Sequence, residues 1–239
     1  MARQKKGLPV HGWLFLDKPP GLGSTQAVSM VRRLFDARKA GHAGTLDPLA
    51  TGLLGVALGE ATKTVPWMMN ADKTYTFTIK WGEATSTGDA DERGQVVATS
   101  GVRPVREQIL DVLQAFTGEM EQVPPAYSAI KIDGKRAYDL ARAGQEVEIK
   151  PRLVHIYRLS LTDMPDRDHA SFEVVCSKGT YVRSLGRDIA LALGSQGHLS
   201  ALRRTQSGGI SIDQAMTPDQ LEAAAGDHLA DCLHPVDAV

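Results

Sequence analysis

Cysteine is nearly missing from these 239 residues: only Cys176 and Cys232 occur, far apart and in no ligand spacing. A disulfide framework is excluded, and two free thiols suit a reducing cytoplasm. No apolar run approaches the ~18 residues of a membrane-spanning helix. The opening MARQKKGLPVHG is basic but has no apolar segment behind it, which excludes a secretory signal. The seven histidines form no HxxxH or HExxH pair, so a metal centre has no support. GLGST (21–25) has neither the GxxxxGK[ST] pattern nor the third glycine of GxGxxG, and no GxSxG nucleophile elbow occurs. Repeats and low-complexity linkers are absent as well.

Net charge is also small, at −1, but it is unevenly spread. Residues 206–239 hold six acids and no Lys or Arg, which leaves 27 basic against 22 acidic residues in the first 205. Basic pairs recur at Lys5-Lys6, Arg32-Arg33, Arg38-Lys39, Lys135-Arg136 and Arg203-Arg204. Such pairs are ordinarily solvated helix faces; gathered on one side they make a surface for a polyanion.

What is present is a soluble, globular composition, 42% hydrophobic and 23% charged, long enough for one large domain or two small ones. GWLFLDKP (12–19) reads as a strand stopped by proline. Ser24 or Thr25 can cap a helix running to about Ala37, with Ala27, Val28, Val31, Leu34 and Phe35 on one face and Arg32 and Arg33 outward. KTYTFTIKW (73–81) alternates, placing Tyr75, Phe77, Ile79 and Trp81 on one side of a half-buried strand. A helix is expected over 104–116, strands over 152–161 and 169–179, and a helix over 180–194 closed by Gly194. YSAIKIDGKRAYDLARAG (127–144) reads as strand, Asp-Gly turn, short helix and glycine stop, and TPDQLEAAAGDHL as a short acidic helix. Strands and helices mix without a βαβ rhythm, so the expected class is α+β with a mixed, largely antiparallel sheet flanked by helices and loops.

The segment GHAGTLDPLATGLL (41–54) carries a single charge, Asp47, between Leu46 and Pro48, with glycines at 41, 44 and 52. On local pattern alone the ordinary reading is a cap: Asp then Pro is a good N-cap and first helical residue, and glycines mark turns. Tyr75 likewise reads as part of a core stripe.

A resemblance changes the weight of both residues. GHAGTLDPLATGLL closely resembles the active-site motif of the TruB family, the bacterial tRNA pseudouridine-55 synthases. LDKPPGLGS resembles the family's Lys-Pro motif at Lys18 and Pro19, and DKTYTF places Tyr75 at the family's active-site tyrosine. PPAYSAIKIDGKRAYDLARAG is similar to a segment that grips the tRNA. SKGTYVRSLGRD carries Tyr181 and Arg183, and HLSALRRTQSG carries Leu202. These segments run in family order over nearly the whole chain.

The resemblance implies a pseudouridine synthase fold and an isomerase that breaks the N1–C1′ bond of uridine, rotates the base and joins C5 to C1′. No atoms enter or leave, so no cofactor and no metal is implied. Asp47 would be the catalytic carboxylate. His42 would fill the space left by the flipped base, Tyr75 would stack on the uracil, Arg183 would pair with Asp47, and Tyr181 and Leu202 would line the base pocket. The implied partner is tRNA, through its T-arm stem-loop; a cytoplasmic monomer without membrane contact is expected. Residues 1–210 would form the catalytic domain, with 127–144 as an RNA-gripping insertion. Residues 211–239 would be an acidic helix and tail, since the sequence reaches HPVDAV about where the family's PUA domain would begin. The competing class is a non-catalytic tRNA-binding or folding module of the same fold. A nucleoside hydrolase would need a second catalytic acid or a metal cluster, and neither is recognisable.

Overall fold

Apolar alternation and turn residues set the elements along the chain. The computed structural model describes residues 7–128, 130–132, 135–137, 149–226 and 228–239. In chain order the first elements are β1 (Gly12–Lys18), α1 (Ser24–Leu34), β2 (Ala40–Ala43), β3 (Thr51–Leu58), α2 (Val65–Asn70) and β4 (Lys73–Trp81). There follow β5 (Glu83–Thr85), β6 (Val96–Thr99), α3 (Arg106–Leu113), β7 (Gly118–Gln122), β8 (Lys131–Ile132) and β9 (Lys135–Arg136). The last are β10 (Arg152–Asp166), β11 (His169–Cys176), α4 (Val182–Ala192), β12 (Gly197–Ser207), β13 (Ile210–Ser211) and α5 (Pro218–Ala223). They divide between two units, Met1–Tyr75 with Arg203–Val239, and Thr76–Leu202.

In the first unit β3 is the central strand. Its run TGLLGVAL is almost wholly buried, as expected of a strand covered on both faces. Antiparallel β1 lies along one side, from Gly12 opposite Leu58 to Lys18 opposite Gly52. Along the other side run β2, antiparallel, and the end of β12, parallel, with Arg204 opposite Gly52. Gly52 is therefore flanked by a lysine on one strand and an arginine on the other, and this register builds the site described below. The core beneath holds Trp13, Phe15, Leu53, Ala57, Met68 and Ile210, and Val236, Ala238 and Val239 pack against it. The end of the chain is held by backbone exchange between Trp13 and His234, at 2.9 and 2.8 Å, and by Trp13 Nε1 donating to the Val236 carbonyl at 3.2 Å.

In the second unit β10 pairs antiparallel with β7 on one side and β11 on the other. Phe77, Ile79 and Trp81 are buried as the alternation predicts, and Phe77 stacks on Phe172 of β11 at 5.1 Å. Helix α4 buries Leu185 and Ile189, with Gly186 fitted against Leu199. The mixed, largely antiparallel α+β organisation is as expected.

Several local expectations change. Helix α1 begins one residue earlier in role than the sequence suggests: Gly23 is its N-cap, its N–H donating to Gln26 Oε1 at 2.9 Å, and Ser24 is already helical. It stops at Leu34 because Asp36 adopts a left-handed φ of 42°. The strand expected over 152–161 continues to Asp166, and the helix expected from 104 starts at Arg106, behind Pro104. In segment 127–144, β8 and β9 pair as a hairpin, Lys131 opposite Arg136. Residues 133–134, where the Asp-Gly turn is expected, and 138–148, which take in most of the expected short helix and its glycine stop, lie outside the described residues.

Candidate active site

Asp47 caps nothing. Residues 44–50 form a loop joining β2 to β3, and no helix follows Pro48. A loop without helical or ladder hydrogen bonds needs other partners for its backbone, and those partners come from distant side chains. Ser24 Oγ donates to the Leu46 carbonyl at 2.8 Å and accepts the Leu46 N–H at 2.9 Å. The Pro48 carbonyl accepts from the Gly21 N–H at 2.9 Å and from Lys18 Nζ at 3.1 Å. Lys18, with no exposed surface, also donates to Pro19 and Leu22 carbonyls at 2.9 and 2.7 Å. Its three ammonium protons are thus matched to three carbonyls.

Arg204 ties the ends of the same loop. It is 1% exposed; Nη2 donates to the Gly44 carbonyl at 3.1 Å and Nε to the Leu53 carbonyl at 2.7 Å. Two of the motif's glycines are explained by this contact. Gly44 has φ +86° and Gly52 φ +96°, and a Cβ at Gly52 would lie 2.2 Å from the Arg204 carbonyl oxygen. Gly41, in contrast, faces open space. Arg203, the other half of that basic pair, makes a bidentate ion pair with Asp17 at 2.9 and 2.7 Å. Arg204 is thus withdrawn from the surface, and the half-exposed Arg203 is offset by Asp17. Arg32, Arg33, Arg38 and Lys39 are exposed, whereas Lys5-Lys6 and the side chains of Lys135-Arg136 lie outside the described residues.

The electrostatics follow from this packing. Burial pushes the Lys18 ammonium down to about 8, against the pull of the Asp47 carboxylate and with a push from Arg204. Asp47 thus sits half-buried within the field of a lysine whose charge is costly to keep. His42, on β2, is held below its ordinary imidazole value, first by burial and then by Arg204, and its Nδ1 is buried without a hydrogen bond. Tyr75, on β4, is half-buried at the end of its stripe.

The remaining expected residues belong to the second unit. Arg183, at the start of α4, is buried; Nη1 donates to the Thr87 carbonyl at 2.6 Å and Nη2 to the Tyr127 carbonyl at 2.8 Å, while Nε lies 3.9 Å from Asp89 Oδ2. The Tyr181 N–H donates to Gln122 Oε1 at 2.7 Å. Leu202 lies half-buried on β12. The first unit thus gathers Asp47 and His42 around Lys18 and Arg204, and the second gathers Tyr181 and Arg183 around Gln122 and the loop 85–89. The sequence reading missed Ser24, Arg204, Gln122 and Asp89. Only Asp89 had a readable sign, its place after Gly88 in a turn, where φ is +75°. Among the described residues no group of three or more His, Cys, Asp and Glu is placed to hold a metal ion, and no helix is long and apolar enough to cross a membrane.

Comparison with known proteins concerns the chain as a whole. The N-terminal domain of the TruB family pseudouridylate synthases matches residues 32–182, and the C-terminal domain of tRNA pseudouridylate synthase B matches residues 183–239. A tRNA pseudouridine synthase B of Caulobacter vibrioides is 56% identical over 238 residues, covering 99% of this chain and 76% of that protein. The protein of the same name from Bradyrhizobium diazoefficiens is 55% identical over 249 residues, covering 99% and 72%. A chain in the crystal structure of a Cbf5–Nop10–Gar1 complex aligns with a TM-score of 0.72 at 29% identity, over 94% of this chain and 60% of its own length.

Proposed function

The chain belongs to the TruB family of pseudouridylate synthases, and we propose that it converts uridine 55, in the T-loop of tRNA, to pseudouridine with Asp47 as the catalytic carboxylate. It is a tRNA pseudouridine synthase, an isomerase whose substrate is tRNA. The chemistry breaks the N1–C1′ bond, turns the uracil and forms C5–C1′; the C5 proton leaves and N1 gains one, so the composition is unchanged. A carboxylate at the sugar can act at C1′ as a nucleophile or at the 2′ carbon as a base. The loop geometry is the observation that supports Asp47: the carbonyls of the residues on either side of it, Leu46 and Pro48, accept from the buried side chains of Ser24 and Lys18, and the Lys18 ammonium is an opposite charge beside it.

In this reading the target base flips out of the T-loop, as in other enzymes acting on a base. His42 occupies the vacated space, where stacking by a ring is worth ~1–3 kcal/mol. Tyr75 stacks on the uracil, Arg183 keeps the carboxylate ionised, and Tyr181 and Leu202 contact the base. Residues 1–210 are the catalytic domain and 127–144 grip the T-arm. The protein acts as a cytoplasmic monomer, and an isomerisation that balances internally calls for no cofactor. The test is to incubate the protein with an unmodified tRNA transcript and map pseudouridine by carbodiimide labelling. A single stop at position 55 is expected; modification elsewhere, or none, would overturn the proposal.

A further inference from the structure

We propose that Ser24 is a positioning residue for the isomerisation, aiming the Asp47 carboxylate through the peptide group of Leu46. The inference rests on the reading of Asp47 as the catalytic carboxylate. Ser24 and Leu46 are both buried, and the one hydroxyl both donates to the Leu46 carbonyl at 2.8 Å and accepts the Leu46 N–H at 2.9 Å. The Leu46 carbonyl belongs to the peptide unit that ends in the Asp47 nitrogen, so its direction sets the backbone torsion from which the aspartate side chain departs.

The far side of Asp47 is fixed independently. Pro48 locks its own φ and keeps the preceding residue out of the helical region. Its carbonyl is held by the Gly21 N–H and by Lys18 Nζ. Without the Ser24 hydroxyl this second anchor survives, and the loop loses definition only on the Leu46 side.

The hydroxyl is not occupied with helix α1. Gly23 is the N-cap, and the Gly23 N–H is satisfied by Gln26. A serine at the first helical position whose hydroxyl serves another loop contributes little to its own helix, so what it holds is the carboxylate's approach. Positioning of this kind has a kinetic signature: a displacement of about 1 Å can cost about 10²-fold in rate while leaving substrate affinity alone.

The experiment compares Ser24→Ala, Ser24→Thr and Asp47→Asn with the wild type, using tRNA transcript in single-turnover assays with tRNA binding and thermal melting measured alongside. Ser24→Ala is expected to lower the saturating single-turnover rate tenfold or more, with tRNA Kd within about twofold of wild type and a melting temperature above the assay temperature. Ser24→Thr, which keeps a hydroxyl, is expected to recover most of that rate. A Ser24→Ala protein that turns over at the wild-type rate while Asp47→Asn is inactive would overturn this inference and leave the reading of Asp47 standing. An active Asp47→Asn would overturn both. A Ser24→Ala protein that melts below the assay temperature would also overturn it, since the hydroxyl would then hold the fold rather than aim the carboxylate.

Discussion

Arg204 donates through Nη2 to the carbonyl of Gly44 at 3.1 Å, across 160 residues of sequence. The same guanidinium reaches Leu53, so one planar cation closes the loop that carries Asp47 at both ends. A fork is suited to two divergent acceptors; a single ammonium is not.

Arg204→Lys is therefore expected to fold but to lose about 1–3 kcal/mol of stability, one carbonyl being left buried without a partner. Urea denaturation of the two proteins measures this directly. An unchanged midpoint would mean that the second hydrogen bond contributes nothing.

The motif's glycines separate into two kinds. Gly52→Ala forces a Cβ to within 2.2 Å of the Arg204 carbonyl at a positive φ, and is expected to cost about 3 kcal/mol or more or to abolish folding. Gly41→Ala meets nothing within 4 Å and is expected to shift stability by less than about 1 kcal/mol. Thermal melts of the two variants side by side decide it.

Asp47→Asn keeps the size of the side chain but supplies neither a nucleophile nor a base. It is expected to abolish pseudouridine formation and to bind tRNA within a few-fold of wild type. Substantial turnover by this variant would remove Asp47 from the chemistry.

His42 makes stability depend on pH. In the unfolded chain it titrates near 6.5; in the folded protein burial and Arg204 hold it lower. Below 6.5 the unfolded chain takes up a proton that the folded protein refuses, so the contribution is full above that pH and is lost as the pH falls. Between pH 7.5 and 5.5 the wild type is expected to lose more melting temperature than His42→Phe. Equal losses would show that His42 is not held neutral.

Binding to tRNA is expected to weaken with salt despite the net charge of −1. The logarithm of the affinity should fall with the logarithm of salt at roughly −0.7 to −0.9 for each phosphate contacted. An isolated T-arm stem-loop should be a substrate where a linear strand of the same sequence is not. Lys135→Ala with Arg136→Ala should raise KM for that stem-loop while leaving the saturating single-turnover rate near wild type. A flat salt response, or an unchanged KM, would show that these charges do not select the RNA.

Periodicity made much of the frame legible. Tyr75, Phe77, Ile79 and Trp81 form one strand face because side chains alternate with a period of two, and the α+β class followed from the order of such segments. The family motif pointed to Asp47 and its neighbours. What holds Asp47 was not legible, for a physical reason. Ser24 looked like a helix cap because a serine before a helix usually is one, and Arg204 looked like half of a surface pair because arginines in pairs usually are exposed. Both make hydrogen bonds to backbone carbonyls, which every residue carries and which therefore leave no mark in sequence. Long-range partners of this kind appear only once the register of β1, β3 and β12 is known.

That register also imposes an order on biosynthesis. The unit carrying Asp47 is discontinuous, made of Met1–Tyr75 and Arg203–Val239. Between the emergence of Leu53 and that of Arg204 the ribosome adds the intervening segment, which at about 5–20 residues per second takes roughly 8–30 s. During that interval the nascent Gly44–Leu53 segment has its lysine and serine partners but no guanidinium, and Gly52 has no strand on its parallel side. The loop that carries Asp47 can therefore be closed only after Arg204 has been made, long after the aspartate itself.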